Sequence, residues 1–129
     1  MLKIGAAAIW LLTCLTIQEP APTPASGGVY TEAQATRGKD IFGTICSSCH
    51  NIASQSGATF AKRWNGVALS ELYLVMAETM PKDDPGALTE KERADVIAYL
   101  LKINALPAGT TDLPTDPELL KKIVIDLVK

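Results

Sequence analysis

The sequence is short of aromatic residues and of histidine. Phenylalanine, tryptophan and tyrosine make up 5% of its 129 residues although 47% are hydrophobic, and there is one histidine. A single domain of this length therefore lacks the large flat side chains that usually fill a small core, and a bound apolar group would supply that bulk. The 12 basic and 14 acidic residues give a net charge of −2. Neither sign dominates, so the composition indicates no nucleic-acid partner.

The sequence also lacks an apolar run long enough to cross a bilayer. The N-terminal run from Ile4 to Ile17 has 14 residues, whereas a spanning helix needs about 20. Because Lys3 precedes it, this run is typical of a secretory signal, and we expect export to the periplasm or another extracytoplasmic compartment. The segment from Thr23 to Ala25 offers a tolerable small-residue cleavage site.

A second interpretation of the leader competes with simple cleavage. The segment from Leu11 to Cys14 resembles a bacterial lipobox, in which the cysteine is lipidated, although Thr13 stands where that pattern has Gly, Ala or Ser. The stretch from Gln18 to Gly28 contains three prolines and two glycines without an apolar period, which predicts a partly extended, solvated linker. Residues 1–28 are therefore predicted to form a leader and linker, with Cys14 as a candidate membrane tether.

Three cysteines are odd for an exported protein until Cys14 is assigned to the leader. The remaining pair, Cys46 and Cys49, is followed at once by His50. In a Cys-x-x-Cys-His motif, two thiols on one turn reach the two vinyl groups of haem, and the imidazole reaches the iron. The motif predicts one covalently bound haem c with His50 as its proximal ligand.

Three other uses of the cysteine pair compete with haem attachment. A thioredoxin-like redox pair would need a strand before the motif, whereas residues 33–45 show a helical pattern. A structural zinc site needs four ligands, and the chain has one histidine and no second cysteine pair of this kind. A structural disulfide would leave the adjacent His50 unexplained.

The sixth iron ligand is expected to be a methionine, since a thioether would make the haem a dedicated one-electron carrier. The candidates are Met76 and Met80, which share one face at the end of a helix predicted over Leu69 to Thr79. Pro81 ends that helix, so Met80 can reach the iron from a loop, whereas Met76 is better explained as core packing. We therefore predict His50 and Met80 as the metal ligands.

A first helix is predicted just before the haem motif. Thr31 is a good N-cap for a helix over Glu32 to Thr44. Its predicted inner face consists of Ala33, Ala35, Gly38, Ile41, Phe42 and Ile45. A glycine inside a helix costs about 1 kcal/mol against alanine, so we expect Gly38 to admit a second helix at close range.

That second helix is predicted to begin after a capping box at Thr89 to Glu92 and to continue to about Ile103, with Tyr99 crossing near the glycine. Between the two helices, Trp64 follows a polar, glycine-containing loop. Its indole could stack at the haem edge and donate to a propionate, which makes Trp64 a candidate cofactor-binding residue. An ordinary half-buried tryptophan is the alternative.

Together these residues resemble the class I cytochrome c family over roughly Tyr30 to Asn104. The matching motifs are Gly38-x-x-x-Phe42, Cys46-Ser47-Ser48-Cys49-His50, Met80-Pro81, Pro85-Gly86-x-Leu88-Thr89 and Ala94-Asp95-Val96-Ile97-Ala98-Tyr99-Leu100. The resemblance implies an all-α fold with helices wrapped around one haem, His50 and Met80 as axial ligands, and electron transfer through a haem edge. Many members place a proline soon after the haem motif, whose carbonyl accepts from the proximal histidine, whereas Asn51 to Phe60 has none.

The C-terminal extension, residues 105–129, follows a cytochrome c domain predicted over residues 29–104. The extension is similar to the tail of cytochrome domains that accompany bacterial quinoprotein dehydrogenases. A helical stripe is predicted at Leu119, Leu120, Ile123, Val124 and Leu127. We expect this stripe to pack back onto the domain, with docking on a partner as the alternative.

The sequence predicts an electron carrier and not an enzyme. The carrier could also serve as the cytochrome subunit of a dehydrogenase. The expected donor and acceptor are redox proteins: a quinoprotein dehydrogenase, a respiratory complex or an oxidase. A peroxidase needs a distal acid–base group, and with His50 bound to iron no other histidine remains. A haem sensor would need an open or labile sixth site. Charged pairs such as Lys62-Arg63 and Asp83-Asp84 are candidate docking residues.

Overall fold

Helices account for most of the fold. The structure is a computed structural model and describes residues 17–127. The elements in this range are β1 (Thr23–Pro24), α1 (Glu32–Thr44), α2 (Gly57–Trp64), α3 (Leu69–Thr79), α4 (Glu90–Ile103), α5 (Pro117–Leu120) and β2 (Ile123–Val124), with 3-10 turns at Ala25–Gly27, Cys46–Ser48 and Ile52–Gln55. The predicted all-α class is confirmed, since the described sheet is a single pair of two-residue strands. No helix within residues 17–127 is both long and apolar enough to cross a membrane.

Helix α1 has the predicted bounds but a partly different buried face. The Thr31 hydroxyl oxygen caps the helix by accepting from the Gln34 N–H at 3.1 Å. Ala33 and Ile45 are exposed, contrary to prediction, and Gln34 is buried instead. Burial of this amide is tolerated because it exchanges two hydrogen bonds with the Leu113 backbone, accepting at 2.6 Å and donating at 3.1 Å.

Helices α1 and α4 cross at Gly38, as the sequence predicts. A Cβ at this position would collide with the carbonyl oxygen of Asp95 in α4, so glycine is what allows the two backbones to approach so closely. Beside the crossing, the rings of Phe42 and Tyr99 pack with centroids 5.5 Å apart and planes inclined at 58°, an arrangement that aromatic pairs favour. The capping box that begins at Thr89 starts α4, also as predicted.

A buried carboxylate ties the crossing to the chain that follows α4. Asp95 is 2% exposed and accepts from Arg37 of α1 at 3.0 and 3.1 Å and from Lys91 at 2.8 Å. Arg37 also donates to Asp112 at 2.9 Å, and the Thr31 hydroxyl donates to the same carboxylate. The charge of Asp95 can be buried because two cations and their N–H groups surround it.

The predicted C-terminal helical stripe is wrong beyond Leu120. Helix α5 ends there, Leu119 is 47% exposed, and the chain continues as β2, which pairs in parallel with β1. Ile123 and Ile125 are buried on either side of the half-buried Val124. This period of two is that of a strand, and a run of β-branched side chains favours a strand over a helix. Leu120, Ile123 and Ile125 belong to the same hydrophobic core as the helices.

The solvated linker predicted from Gln18 to Gly28 is wrong in its second half. Residues 17–24 are exposed, but Ala25 is completely buried, and the N–H and hydroxyl of Ser26 both donate to the Asp126 carboxylate. Prolines and glycines do keep this segment irregular. Thr23 and Ser26, however, donate hydrogen bonds to the C-terminal segment, and the local sequence could not reveal this pairing.

The leader hypotheses fall partly outside the structure. The signal-like run and Cys14 lie outside the described residues. The candidate cleavage site lies inside them, because Thr23 belongs to β1 and its N–H donates to the Lys122 carbonyl at 2.8 Å. Cleavage after Ala25 would therefore remove β1 from the fold.

The contact at Gly38 leads to a stability prediction with a control in the same helix. Gly38→Ala should lower the free energy of unfolding by about 2 kcal/mol, because the new methyl group forces α1 and α4 apart. Gly43→Ala, where a Cβ meets no atom within 4 Å, should leave stability unchanged or raise it by about 0.5 kcal/mol. Urea unfolding followed by circular dichroism checks both, and equal effects would contradict the close-approach explanation.

The Asp112 carboxylate leads to a prediction about pH. Its hydrogen bonds from the Thr31 hydroxyl and from Arg37 outweigh partial desolvation and hold the pKa of Asp112 below its ordinary value. The carboxylate therefore contributes stability above about pH 4, the unfolded-chain pKa, and loses that contribution as the pH falls through the folded value. Asp112→Asn should lower the free energy of unfolding at pH 7, measured by thermal unfolding, by less than about 1 kcal/mol, because its pair with Arg37 is solvated. The difference from the wild type should shrink as the pH falls below about 4. The exposed-loop variant Asp83→Asn serves as the control, and a gap that widens in acid would contradict the prediction.

Candidate functional site

The cysteine motif forms one tight turn directly after α1. Ile45 ends the helix, and the carbonyl of Cys46 then accepts from the N–H of Cys49 at 3.1 Å and from that of His50 at 2.9 Å. The Ser47 hydroxyl donates back to the Gly43 carbonyl at 2.7 Å, which ties the turn to the last turn of the helix. The two thiols and the imidazole are thus carried by a single hydrogen-bonded turn on a rigid helix.

The two thiols of this turn differ in their surroundings. Cys46 is half-buried against the core, whereas Cys49 is exposed, and both are free. Burial raises the pKa of the Cys46 thiol. A redox-active pair works through a lowered thiol pKa and, in the thioredoxin arrangement, follows a strand, whereas this pair follows a helix. The surroundings of the two thiols therefore differ from those of a thioredoxin-like redox pair.

His50 is half-buried and has a side-chain neighbour that the sequence analysis did not find. Its Nδ1 lies 3.1 Å from Nε2 of Gln55, at the end of the 3-10 turn Ile52–Gln55. The missing proline after the motif was a signal that another acceptor was needed, but it did not identify which one. His50 also borders an apolar hollow of about 370 Å³ whose walls include Phe42, Ile52 and Tyr99.

The structure separates the two candidate methionines. Met76 is 8% exposed and lies in the core with Leu72 and Tyr73, where packing accounts for it. Met80 caps the C-terminus of α3 with extended backbone angles, φ −125° and ψ 145°, and its half-buried side chain packs against the core. Helix α3 thus ends where Pro81 predicts.

The loop that carries Met80 is held at both ends. At the first end, the Met80 carbonyl accepts from the Gly86 N–H at 3.3 Å. At the other end, the Leu88 carbonyl accepts from Arg93 of α4 at 2.6 Å. The Arg93 guanidinium also lies over the Tyr73 ring, 5.0 Å from its centroid. Sequence reasoning missed Arg93, whose role depends on α3 and α4 lying side by side. Among the described residues, its Nε is a buried nitrogen without a hydrogen-bond partner.

Trp64 is the last residue of α2, and its side chain is buried. It is 8% exposed, its ring centroid is 6.5 Å from that of Phe60, and the Arg63 guanidinium lies 4.8 Å from the ring centroid. One face of the indole is therefore already covered by a cation. A contact with a cofactor would have to use the other face or the ring edge.

The donor set of these elements fits haem. Free thiols at Cys46 and Cys49 on one turn match the two vinyl groups, and an imidazole nitrogen and a thioether suit the two axial positions of the iron. The four side chains come from two segments, the turn after α1 and the loop after α3.

Comparison with known proteins agrees with this site. The family model described as "Cytochrome C oxidase, cbb3-type, subunit III" matches residues 33–100, more than half of the chain. This span runs from the first turn of α1 into α4 and includes the Cys46–His50 turn and Met80.

Two curated relatives, both named "Cytochrome bc1 complex cytochrome c subunit", are also similar. The one from Corynebacterium diphtheriae is 31% identical over 83 residues, which cover 59% of this chain and 30% of the relative. The one from Corynebacterium efficiens is 30% identical over 80 residues, which cover 57% of this chain and 27% of the relative. The chain therefore spans less than a third of either relative. No solved structure gives a significant match.

The family and the relatives agree on the kind of protein. Both point to covalently bound haem c and to haem-based electron transfer. The predicted resemblance to cytochrome c is thereby confirmed. The chain belongs to the c-type cytochrome family described as cbb3-type cytochrome c oxidase subunit III.

Proposed function

We propose that this chain carries one electron at a time through a single haem, bonded to Cys46 and Cys49 and ligated by His50 and Met80. The observation that supports this most strongly is the turn in which the Cys46 carbonyl binds the N–H groups of both Cys49 and His50. That turn presents the two attachment thiols and the proximal imidazole from one short segment. When bound, haem supplies an iron that cycles between the ferrous and ferric states.

The role proposed for Met80 is to close the sixth position. Its thioether is soft and neutral, so it favours ferrous iron and raises the reduction potential. Arg93 and the 3.3 Å hydrogen bond from the Gly86 N–H hold the loop in place, so that the ligand need not be ordered with each electron transferred. Two permanent ligands also keep substrates away from the iron, which suits a carrier.

The proposed partners are redox proteins in a membrane-bound respiratory complex. The support is that the two curated relatives are named as cytochrome c subunits of a bc1 complex. A quinoprotein dehydrogenase as partner, and a role as a dehydrogenase subunit, stay predictions from the C-terminal extension. Trp64 is retained as a proposed contact at the haem edge.

The proposed location is extracytoplasmic. The chain would be attached to a membrane through Cys14 of the leader, upstream of the fold. The pairing of Thr23 and Pro24 with β2 and the burial of Ala25 argue that these residues stay in the mature chain. Processing before Cys14 would keep them, which supports lipidation of that residue over cleavage after Ala25. The domain boundary predicted at residue 29 would then fall inside a continuous fold, because residues 23–28 pair and pack with the rest of the domain.

The ligand assignment can be tested with the two methionines as a matched pair. Met80→Ala should abolish the weak charge-transfer band of a sulfur-to-iron bond in the ferric protein and lower the reduction potential, because the soft ligand is lost. Met76→Leu, a volume-conserving change in the core, should keep both the band and the potential. If the band is lost in Met76→Leu but kept in Met80→Ala, Met76 is the ligand and the assignment of Met80 is wrong.

The attachment can be tested with the three cysteines. Cys46→Ala and Cys49→Ala should each leave haem held by one covalent bond, and the double variant should lose all haem from the denatured chain. Cys14→Ser is the control and should keep both bonds. Mass spectrometry of the denatured protein reports the number of bound haems, and a second haem in the wild type would contradict the single site.

A further inference from the structure

We propose that Gln55 positions the proximal imidazole: its side-chain amide oxygen accepts from the Nδ1–H of His50 and leaves Nε2 free to bind the iron. This inference rests on the proposed function, in which His50 is the proximal ligand. It assigns to a side chain the orienting contact that metal-bound histidines require.

The orientation of the amide follows from the chemistry of the ring. The Gln55 side-chain amide lies 3.1 Å from Nδ1 of His50. A half-turn of the amide exchanges its oxygen and nitrogen and leaves its contacts otherwise unchanged. If the amide nitrogen donated to Nδ1, the ring proton would sit on Nε2 and occupy the lone pair that iron needs. Iron binding through Nε2 therefore requires the amide oxygen to face an Nδ1–H.

The amide is held in position by the end of α4. The Asn104 side chain donates to the backbone carbonyls of Gln55 at 3.0 Å and of Leu100 at 2.8 Å, and it accepts from the Gly57 N–H at 3.0 Å. Asn104 thus clamps the 3-10 turn that carries Gln55 to the last turn of α4. The imidazole is linked in this way to the same helix that crosses α1 at Gly38.

Gln55 takes a position where the chain offers no proline. Asn51 to Phe60 contains none, and this is the stretch in which the sequence resemblance leads one to look for a carbonyl acceptor. A neutral amide oxygen fixes the ring and polarises its N–H modestly. A carboxylate at the same position would give the ring more imidazolate character, which stabilises ferric iron.

The experiment compares the reduction potentials of haem-loaded full-length variants at pH 7. Gln55→Glu should lower the potential by about 59 mV, a tenfold change in the one-electron equilibrium constant, because the acceptor becomes anionic. Gln55→Asn, whose shorter side chain withdraws the amide, should raise the potential and speed the exchange of the His50 Nδ1–H at least tenfold in the reduced protein. Opposite signs for the two variants are the expected signature of an acceptor.

A control separates positioning from simple loosening of the turn. Asn51→Ala removes the side chain that accepts from the Ser54 N–H at 2.8 Å and so weakens the same 3-10 turn. It should move the potential less than either Gln55 variant. Shifts of one sign in all three variants, or unchanged exchange of the ring proton in Gln55→Asn, would overturn the proposal.

Failure of the ligand assignment would look different. If His50 is not the proximal ligand, His50→Ala keeps the low-spin spectrum of the wild type, and the proposed function fails. If His50→Ala loses that spectrum while the Gln55 variants match Asn51→Ala, the ligand stands and the role of Gln55 is rejected. Gln55→Leu provides a third variant, expected to behave as Gln55→Asn, should either polar variant load too little haem.

Discussion

The close crossing of α1 and α4 is the constraint on which the rest of the structure depends. Backbone meets backbone where Gly38 faces the Asp95 carbonyl, and the helices cannot approach so closely with any larger residue at that position. The Asp95 carboxylate, at the same point, collects Arg37 and Lys91 and so adds charge pairing to the steric fit.

The C-terminal ends of both crossed helices connect to the candidate site. The cysteine turn begins two residues after α1 ends at Thr44, and Asn104 follows the last residue of α4. Asn104 clamps the turn that bears Gln55, and that side chain contacts the imidazole of His50. The part of the candidate site that carries His50 is therefore joined by hydrogen bonds to the end of α4.

The part of the candidate site that carries Met80 is built on a different support. Met80 sits where α3 gives way to a loop, and Arg93 anchors the far end of that loop from α4. The same helix thus reaches both sides of the site, through Arg93 near its start and Asn104 at its end. At the two ends of the described chain, β1 pairs with β2, and Ala25 and Ile125 beside the strands belong to the common core.

The sequence by itself determined the local structure and the chemistry. Capping residues, the proline after Met80, the glycine at position 38 and the Cys-x-x-Cys-His spacing act within a few residues of their own positions, so α1, α3, α4 and the candidate ligands could be predicted. Tertiary structure decided the rest, because the features concerned depend on partners distant along the chain. Gln34 is buried by the Leu113 backbone, and residues 23–28 find their partner about 100 positions later, in the segment containing Asp126. The contact of Gln55 with His50 depends on where α4 ends, which no local pattern around the motif contains.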